Sequence, residues 1–470
     1  MKRSQTFHIV AIVALVLLAL PAAAQTPPAE ALINKLVAKG VLTQDEAKEL
    51  LSEGVQTNQA SASKWKLSDS IKSIGLYGDV RLRYEYRGAD NASGSGASGS
   101  TYQRERFRYA VRAGIRGDLF DDFYYGLRVE TSSNPRSPWV TFGDDSNPTP
   151  SDKHSDTIGI GQVYLGWRAT DWLELTFGKM PMPLYVTPMI WDSDINPEGA
   201  AEKFKYSLGD VDLFATFGQF IYQDTNPDNA LPSSDTFLLA WQVGANVKLA
   251  KDTSFKIAPV LYTYTGKGQN NGLNLPFSGQ GSKGLNPNTS GYNQNGINDL
   301  LVLEIPSEIN FKVGQYNARV FGDFAYNFSG DNRARAAVAA TAPAGGLPQA
   351  VLGQDKAYLA GFGFGNLGLV YGQTSKKNTW EARVYWQHVE QYAADVNLLD
   401  SDFFEGRANL EGVYTAFAYS FTDSIIGTVR YGYAQRINNQ LGTGGNNLDL
   451  PILNPIKNYN LLQLDLTWRF

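Results

Sequence analysis

Residues 459–470 read YNLLQLDLTWRF, with Leu462, Leu464, Leu466, Trp468 and Phe470 on one parity and Gln463, Asp465, Thr467 and Arg469 on the other. Successive side chains of a strand point to opposite faces, so this strand is apolar on one side and polar on the other. The alternation by itself fits a soluble sheet edge as well as a barrel strand in lipid.

The beginning of the chain narrows the choice. Residues 1–24 carry Lys2 and Arg3, an apolar run over residues 9–20, then Pro21 and three alanines. That is the order of a secretory signal peptide, cleaved after Ala24. Its apolar core is shorter than the roughly 20 residues a spanning helix needs, and no longer apolar run follows. The exported part is rich in Gly, Tyr and Phe and slightly polar overall, as expected of strands that spend half their side chains on lipid and half on water. The chain has no cysteine, which removes a disulfide framework, a thiolate metal site and a thiol nucleophile. Taking Lys2 and Arg3 from the formal net charge of −5 leaves −7, so nothing points to nucleic acid as a partner.

Residues 27–54 are the one convincing helical stretch. Ala31, Leu32, Leu36 and Val37 recur at helical spacing, Gly40 suits a helix end, and Thr43 with Glu46 forms a capping box before Ala47, Leu50 and Leu51. The reading is a short periplasmic helix-turn-helix and linker over residues 25–64, followed by a barrel over residues 65–470. From Ile74 onward strand follows strand, and the connections alternate in length. Residues 88–100, 132–156, 180–199, 223–235, 266–298, 329–354, 393–407 and 437–458 are long; those near 120, 170, 209, 251, 314, 375 and 422 are short. This predicts an all-β chain: a transmembrane antiparallel β-barrel of about 16 strands, or 18 as the alternative, with long loops at one end and short turns at the other. A sandwich or propeller has no need of that alternation.

The inward parity is basic. Arg104, Arg106, Arg108, Arg112 and Arg116 oppose Phe107, Tyr109, Val111, Ala113 and Ile115; Arg81, Arg83 and Arg87 share a parity on the preceding strand, and Arg128 on the following one. A guanidinium near the middle of the lipid face costs about 2–4 kcal/mol. Arg81, Arg83, Arg104, Arg106, Arg108, Arg112, Arg116 and Arg128 are therefore expected to line the interior. Asp79, Glu85 and Glu130 share that face, so a fully paired wall without a pore is the competing reading. An excess of guanidiniums beside a wet constriction predicts a water-filled channel with mild anion preference.

Residues 180–199 form a stiff, proline-rich loop ending in Trp191-Asp192-Ser193-Asp194-Ile195-Asn196-Pro197-Glu198-Gly199. With Asp400-Ser401-Asp402-Phe403, the following Gly406, Asn409, Gly412 and Tyr419, and the helical stretch over residues 32–47, this resembles the putative porin family of Gram-negative outer membranes. The last strand, with Leu466, Trp468 and Phe470, resembles the closing strand of bacterial outer-membrane barrels, whose final aromatic the barrel-assembly machinery reads. The resemblance implies a passive diffusion channel for small hydrophilic solutes and anions, set in outer-membrane lipid, homotrimeric, and without cofactor. It also implies a third loop folded inward, which places Asp192, Asp194 and Glu198 at the constriction, facing the arginines. The rival reading of the acidic clusters is a Ca²⁺ site on an outer loop.

An enzyme is not expected. Past the signal segment the histidines are His154 and His388, neither near a Ser and a carboxylate in a triad-like arrangement, and no metal-binding or phosphate-cradling motif is present. The remaining alternatives are a channel selective for phosphate or organic anions, and a surface adhesin or receptor.

Overall fold

The structure, a computed structural model, describes residues 68–91, 101–132, 134, 137–143, 156–223, 236–265, 300–341, 349–366, 376–443 and 455–470. The expected signal segment and the helical segment over residues 25–64 lie outside them. The unit Ser70–Phe470 holds β1 (Gly75–Asn91), β2 (Thr101–Asp118), β3 (Phe123–Thr131), β4 (Val140–Thr141), β5 (Ile158–Thr170), β6 (Leu173–Lys179), β7 (Glu198–Leu208), β8 (Val211–Gln223), β9 (Thr236–Ala250) and β10 (Thr253–Ile257). It continues with β11 (Val260–Tyr264), β12 (Leu301–Glu304), β13 (Ser307–Val313), β14 (Tyr316–Asn327), helix α1 (Gly330–Thr341), β15 (Lys356–Gly365), β16 (Trp380–Val389), β17 (Leu410–Ser420), β18 (Ile425–Arg436) and β19 (Ile456–Arg469).

All 19 segments belong to one sheet. β10 and β11 both pair with β9, and β12 and β13 lie side by side with them and against β14. Each pair is one crossing, broken at Ala258-Pro259 and at Ile305-Pro306, because proline has no N–H to give the ladder. β4 is a two-residue bridge to β2 within the second long connection. What remains is 16 antiparallel crossings, and β1 pairs with both β2 and β19, so the sheet closes on itself. At the seam Gly78 N donates to Phe470 O at 3.0 Å and Phe470 N to Gly78 O at 3.1 Å. A Cβ on Gly78 would stand 2.6 Å from the Phe470 ring, so the seam needs a glycine there.

The period of two decides which side chains meet which medium. Leu82, Phe107, Leu466 and Trp468 are 47%, 63%, 48% and 50% exposed on the outer face, while their opposite-parity neighbours Glu85 and Gln463 are at 0%. The outer face is an apolar band with aromatic chains such as Phe204–Phe217–Trp241, ring centroids 5.7 and 5.4 Å apart. Among the described residues no helix is long and apolar enough to cross a membrane, and the strands supply the crossings.

Two local features depart from simple strand-and-loop expectation. Gly178 and Gly199 face each other at the root of the third long connection with φ of +114° and +144°, and a Cβ on either would meet a backbone oxygen at 2.3 or 2.1 Å. The paired glycines let the ladder bend where the loop leaves the wall. Residues 329–354, expected to be loop throughout, contain α1. Asn327 Oδ1 accepts from Ser329 N at 3.0 Å, Arg333 N donates to Ser329 O, and Asp331 sits in the first turn, where the helix dipole favours a carboxylate.

Candidate functional site

Inside the barrel the arginine parity of β1 and β2 converges on one carboxylate. Glu85 is fully buried; Arg106 Nε donates to its Oε1 at 2.7 Å, Arg87 Nη2 to its Oε2 at 3.2 Å and Gln463 Nε2 to Oε2 at 2.9 Å. Arg83 and Arg108 approach it at 3.7 and 3.5 Å. Arg83 also makes a fork with Asp465 of β19, Nε to Oδ1 at 2.7 Å and Nη2 to Oδ2 at 2.9 Å. Such bidentate pairs are among the stronger hydrogen bonds a protein makes. The Trp139 ring from the second long connection covers Arg83 at 3.9 Å from its Cζ, and Arg108 Nη2 donates to Trp139 O at 3.2 Å.

Two further loops fold into the lumen. The connection from β6 to β7 crosses to the far wall. There Tyr185 N and O exchange hydrogen bonds with the Gln242 amide, both at 2.8 Å, Tyr185 OH donates to Glu308 Oε2 at 2.6 Å, and Thr187 donates to Asp323. The connection from β16 to β17 is buried almost throughout residues 391–409. Its Phe403 packs on Phe404, Tyr385 and Tyr414, and its Asp395 accepts from Tyr222 and Tyr264 at 2.5 and 3.0 Å. Asp192 joins the two loops: its N donates to Leu398 O at 2.6 Å and its Oδ2 accepts from Ser401 N at 2.9 Å.

Where these loops approach the basic wall, charges of both signs meet. Asp402 accepts from Arg83 Nη1 at 2.9 Å and Gln463 Nε2 at 3.0 Å, and Arg87 Nη1 donates to its carbonyl at 3.0 Å. Arg112 lies between Asp79 at 3.1 Å and Asp194 at 3.4 Å. Burial works to raise the Asp402 carboxyl, but Arg83 and Arg87 outweigh it and hold the group at about 2. Burial and the neighbouring Asp402 charge push Asp400 up to about 6. Burial raises Asp194 against the pull of Arg112.

The putative porin family profile matches residues 57–322 and 298–470, which together span most of the chain. The chain belongs to the putative porin family. Its barrel is an outer-membrane barrel, and family and architecture together make it a diffusion channel. Solved structures similar to it include an anion-selective porin from Comamonas acidovorans, 10% identical, covering 85% of this chain and 99% of that one, TM-score 0.42. Salmonella typhi OmpF in complex with daunomycin is 9% identical, with 86% and 100% covered and a TM-score of 0.44. The outer membrane channel DcaP of Acinetobacter baumannii is 14% identical, with 86% and 99% covered and a TM-score of 0.40. No curated protein sequence matches the chain.

In this porin-family barrel six of the eight arginines expected to line the interior fall into two groups. Arg83, Arg106 and Arg108 are buried around Glu85 under the loops, whereas Arg81, Arg112 and Arg128 are partly exposed, paired with Asp79, with Asp79 and Asp194, and with Glu130. Arg116 lies over the Tyr77 ring at 4.9 Å, and Arg104, on β2, is half-buried. Asp192 ties loop to loop and Asp194 reaches Arg112, while Glu198, the first residue of β7, pairs with Lys179 at 3.0 Å with its side chain 57% exposed. Leu466, Trp468 and Phe470 stand on the outer face at the seam. Among the described residues no group of three or more His, Asp or Glu is placed to hold a metal ion. The acidic clusters make ion pairs and backbone caps instead.

Sequence reasoning did not find the insertion of residues 391–409, the Trp139 cover, or the acid pair Glu304 and Asp323 that receives Thr187. The available signal was Glu304 on an inward parity with Val302, both fully or nearly buried.

The raised Asp400 carboxyl predicts a pH dependence. Its proton is held more tightly in the docked loop than in an unfolded chain, so it favours docking below the ordinary carboxyl range, and that contribution is lost as pH rises through about 6. Ionisation also adds a negative charge beside Asp402 and Asp194. The reversal potential in a salt gradient is expected to move toward cations across that pH, and Asp400→Asn to abolish the movement.

Proposed function

We propose that this channel passes small hydrophilic solutes with a preference for anions. One observation carries the reading: the lumen-facing cations Arg116, Lys205, Lys256 and Arg469 have no carboxylate within 4.0 Å among the described residues. Of the lumen-facing carboxylates, Asp79, Glu130, Asp194, Glu308 and Asp402 each lie on a guanidinium, Glu174 lies 3.7 Å from Lys203, and Asp212 accepts the Ser207 hydroxyl at 2.6 Å. Unmatched positive charge inside a narrow low-dielectric tube raises the local concentration of anions. The pore-lining role thus rests on these four and on the partly exposed Arg81, Arg112 and Arg128, with Asp194 and Asp402 opposite them.

Reversal potentials of the purified protein in planar bilayers test this. Changing Arg116, Lys205, Lys256 and Arg469 to Glu should each move selectivity toward cations, and together reverse its sign; an unmoved reversal potential would sink the anion preference.

We assign the barrel no catalytic role. His388, the one described histidine, stacks on Tyr358 at 4.4 Å on the outer face and pairs with Glu411 at 3.0 Å, away from the lumen. Outer-membrane lipid is the proposed medium of the apolar band, and the assembly machinery the proposed reader of Leu466, Trp468 and Phe470. A homotrimer is supported by outward-facing Glu202, which accepts from Gln219 Nε2 at 2.9 Å beside its cross-strand partners Leu175 and Phe217. A carboxylate there is better matched by a sister subunit than by hydrocarbon. The mass of the detergent-solubilised protein decides it, a monomer counting against.

A further inference from the structure

Beneath the third loop the lumen opens into a cavity of about 840 Å³ walled by the β5–β6 turn, β7, β8, β10 and the loop itself. Its charged lining sets Lys203, Lys205, Lys256 and Arg168 against Asp122, Asp171 and Glu174. Arg168 is taken up by Asp118 at 2.9 Å, and Glu174 lies 3.7 Å from Lys203 and accepts the Tyr124 hydroxyl at 2.9 Å. Lys205 and Lys256 have no ion pair among the described residues.

The cavity also carries an apolar surface next to these ammoniums. Lys256 Nζ lies 3.7 Å from the centroid of the Tyr185 ring and 5.4 Å from that of Phe214, and Leu184 adjoins them. Cation–π contact of this kind holds the ammonium over a ring face without neutralising it. Tyr185 cannot drift, because its backbone exchanges two hydrogen bonds with Gln242 and its hydroxyl is held by Glu308. A fully hydrated inorganic anion would use the ammoniums and gain nothing from the apolar surface of Phe214 and Leu184. A solute with a carboxylate at one end and an apolar or aromatic body at the other would use both.

We propose that this cavity is a binding site for small organic carboxylates with an apolar body, through which such solutes are drawn toward the short-turn end of the barrel. The proposal deepens the anion-channel reading and rests on it for transport, though not for binding. Three lysines supply the charge; Tyr185, Phe214 and Leu184 supply the selectivity over chloride and phosphate.

The test uses the full chain, folded in detergent and reconstituted in planar bilayers, with benzoate and phosphate as probes. Benzoate is expected to interrupt the chloride current at concentrations where phosphate does not. Lys256→Met should weaken that block about tenfold, and Lys256→Arg should keep most of it. Equal block by both probes, or none by benzoate, would overturn the site; both comparisons use the wild-type protein and so stand even if the variants do not fold. Calorimetric titration of benzoate into the detergent-folded protein separates the two readings. Binding without any KCl conductance would retain the site and remove the channel, whereas conductance without binding would remove the site alone.

Discussion

Glu85→Ala is expected to cost the barrel about 3–5 kcal/mol, the usual consequence of removing one partner from a buried ion network. Four guanidiniums, those of Arg83, Arg87, Arg106 and Arg108, lie within 3.7 Å of this carboxylate, which has no exposed surface. Arg83 also holds Asp465 and Asp402, and Arg87 also lies 3.5 Å from Glu405. Without Glu85, like charges on neighbouring strands at the β1–β2 pairing face one another in a dry site. Glu85→Gln, which keeps a hydrogen-bonding oxygen but no charge, should fall between Ala and the native residue. Urea unfolding in lipid vesicles, followed by tryptophan fluorescence, measures the difference. A Glu85→Ala midpoint unchanged from the native protein would mean that the arginines are solvated and the network is incidental.

The largest change in conductance is expected from removing the inserted seventh loop. Replacing residues 394–406 with a short Gly/Ser link is geometrically possible because Val389 and Leu410 pair directly at the ends of β16 and β17. The deletion empties the space filled by Phe403 and Phe404 and takes out four carboxylates, Asp395, Asp400, Asp402 and Glu405. Single-channel current should rise severalfold and anion preference should strengthen together, since the wall of Arg83 and Arg87 then meets water with fewer acids opposite. A wider channel with unchanged selectivity would show that the loop fills space but sets no field. An unchanged current would show that solutes already pass on its other side.

The strands were legible because lipid and water impose a rule of period two on every one of them. Phe237, Trp241, Val243 and Leu249 could be assigned outward from their spacing alone, and they are exposed in the barrel, while Leu238, Ala240 and Gln242 between them are buried. The same rule put all the arginines of β1 to β3 inside. It could not say which acid each would meet. Arg83 finds Asp465 across 382 residues and Asp402 across 319, partners set by closure of the sheet and by a loop without periodicity. α1 escaped for a related reason. Its Arg-Ala-Arg-Ala-Ala-Val run has no apolar stripe, and helix propensity without amphipathicity is a weak signal.

What the chain's own residue order determined is therefore the barrel: strand number, which face of each strand is wet, and a basic interior, all consequences of local alternation between two solvents. What only the folded structure decided is the character of that interior. Inward loops bury Arg83, Arg87, Arg106 and Arg108 beneath Trp139 and Asp402 and leave Arg116, Lys205, Lys256 and Arg469 without an ion pair among the described residues. That division depends on side chains hundreds of positions apart meeting inside a closed sheet, and local pattern holds no record of such contacts.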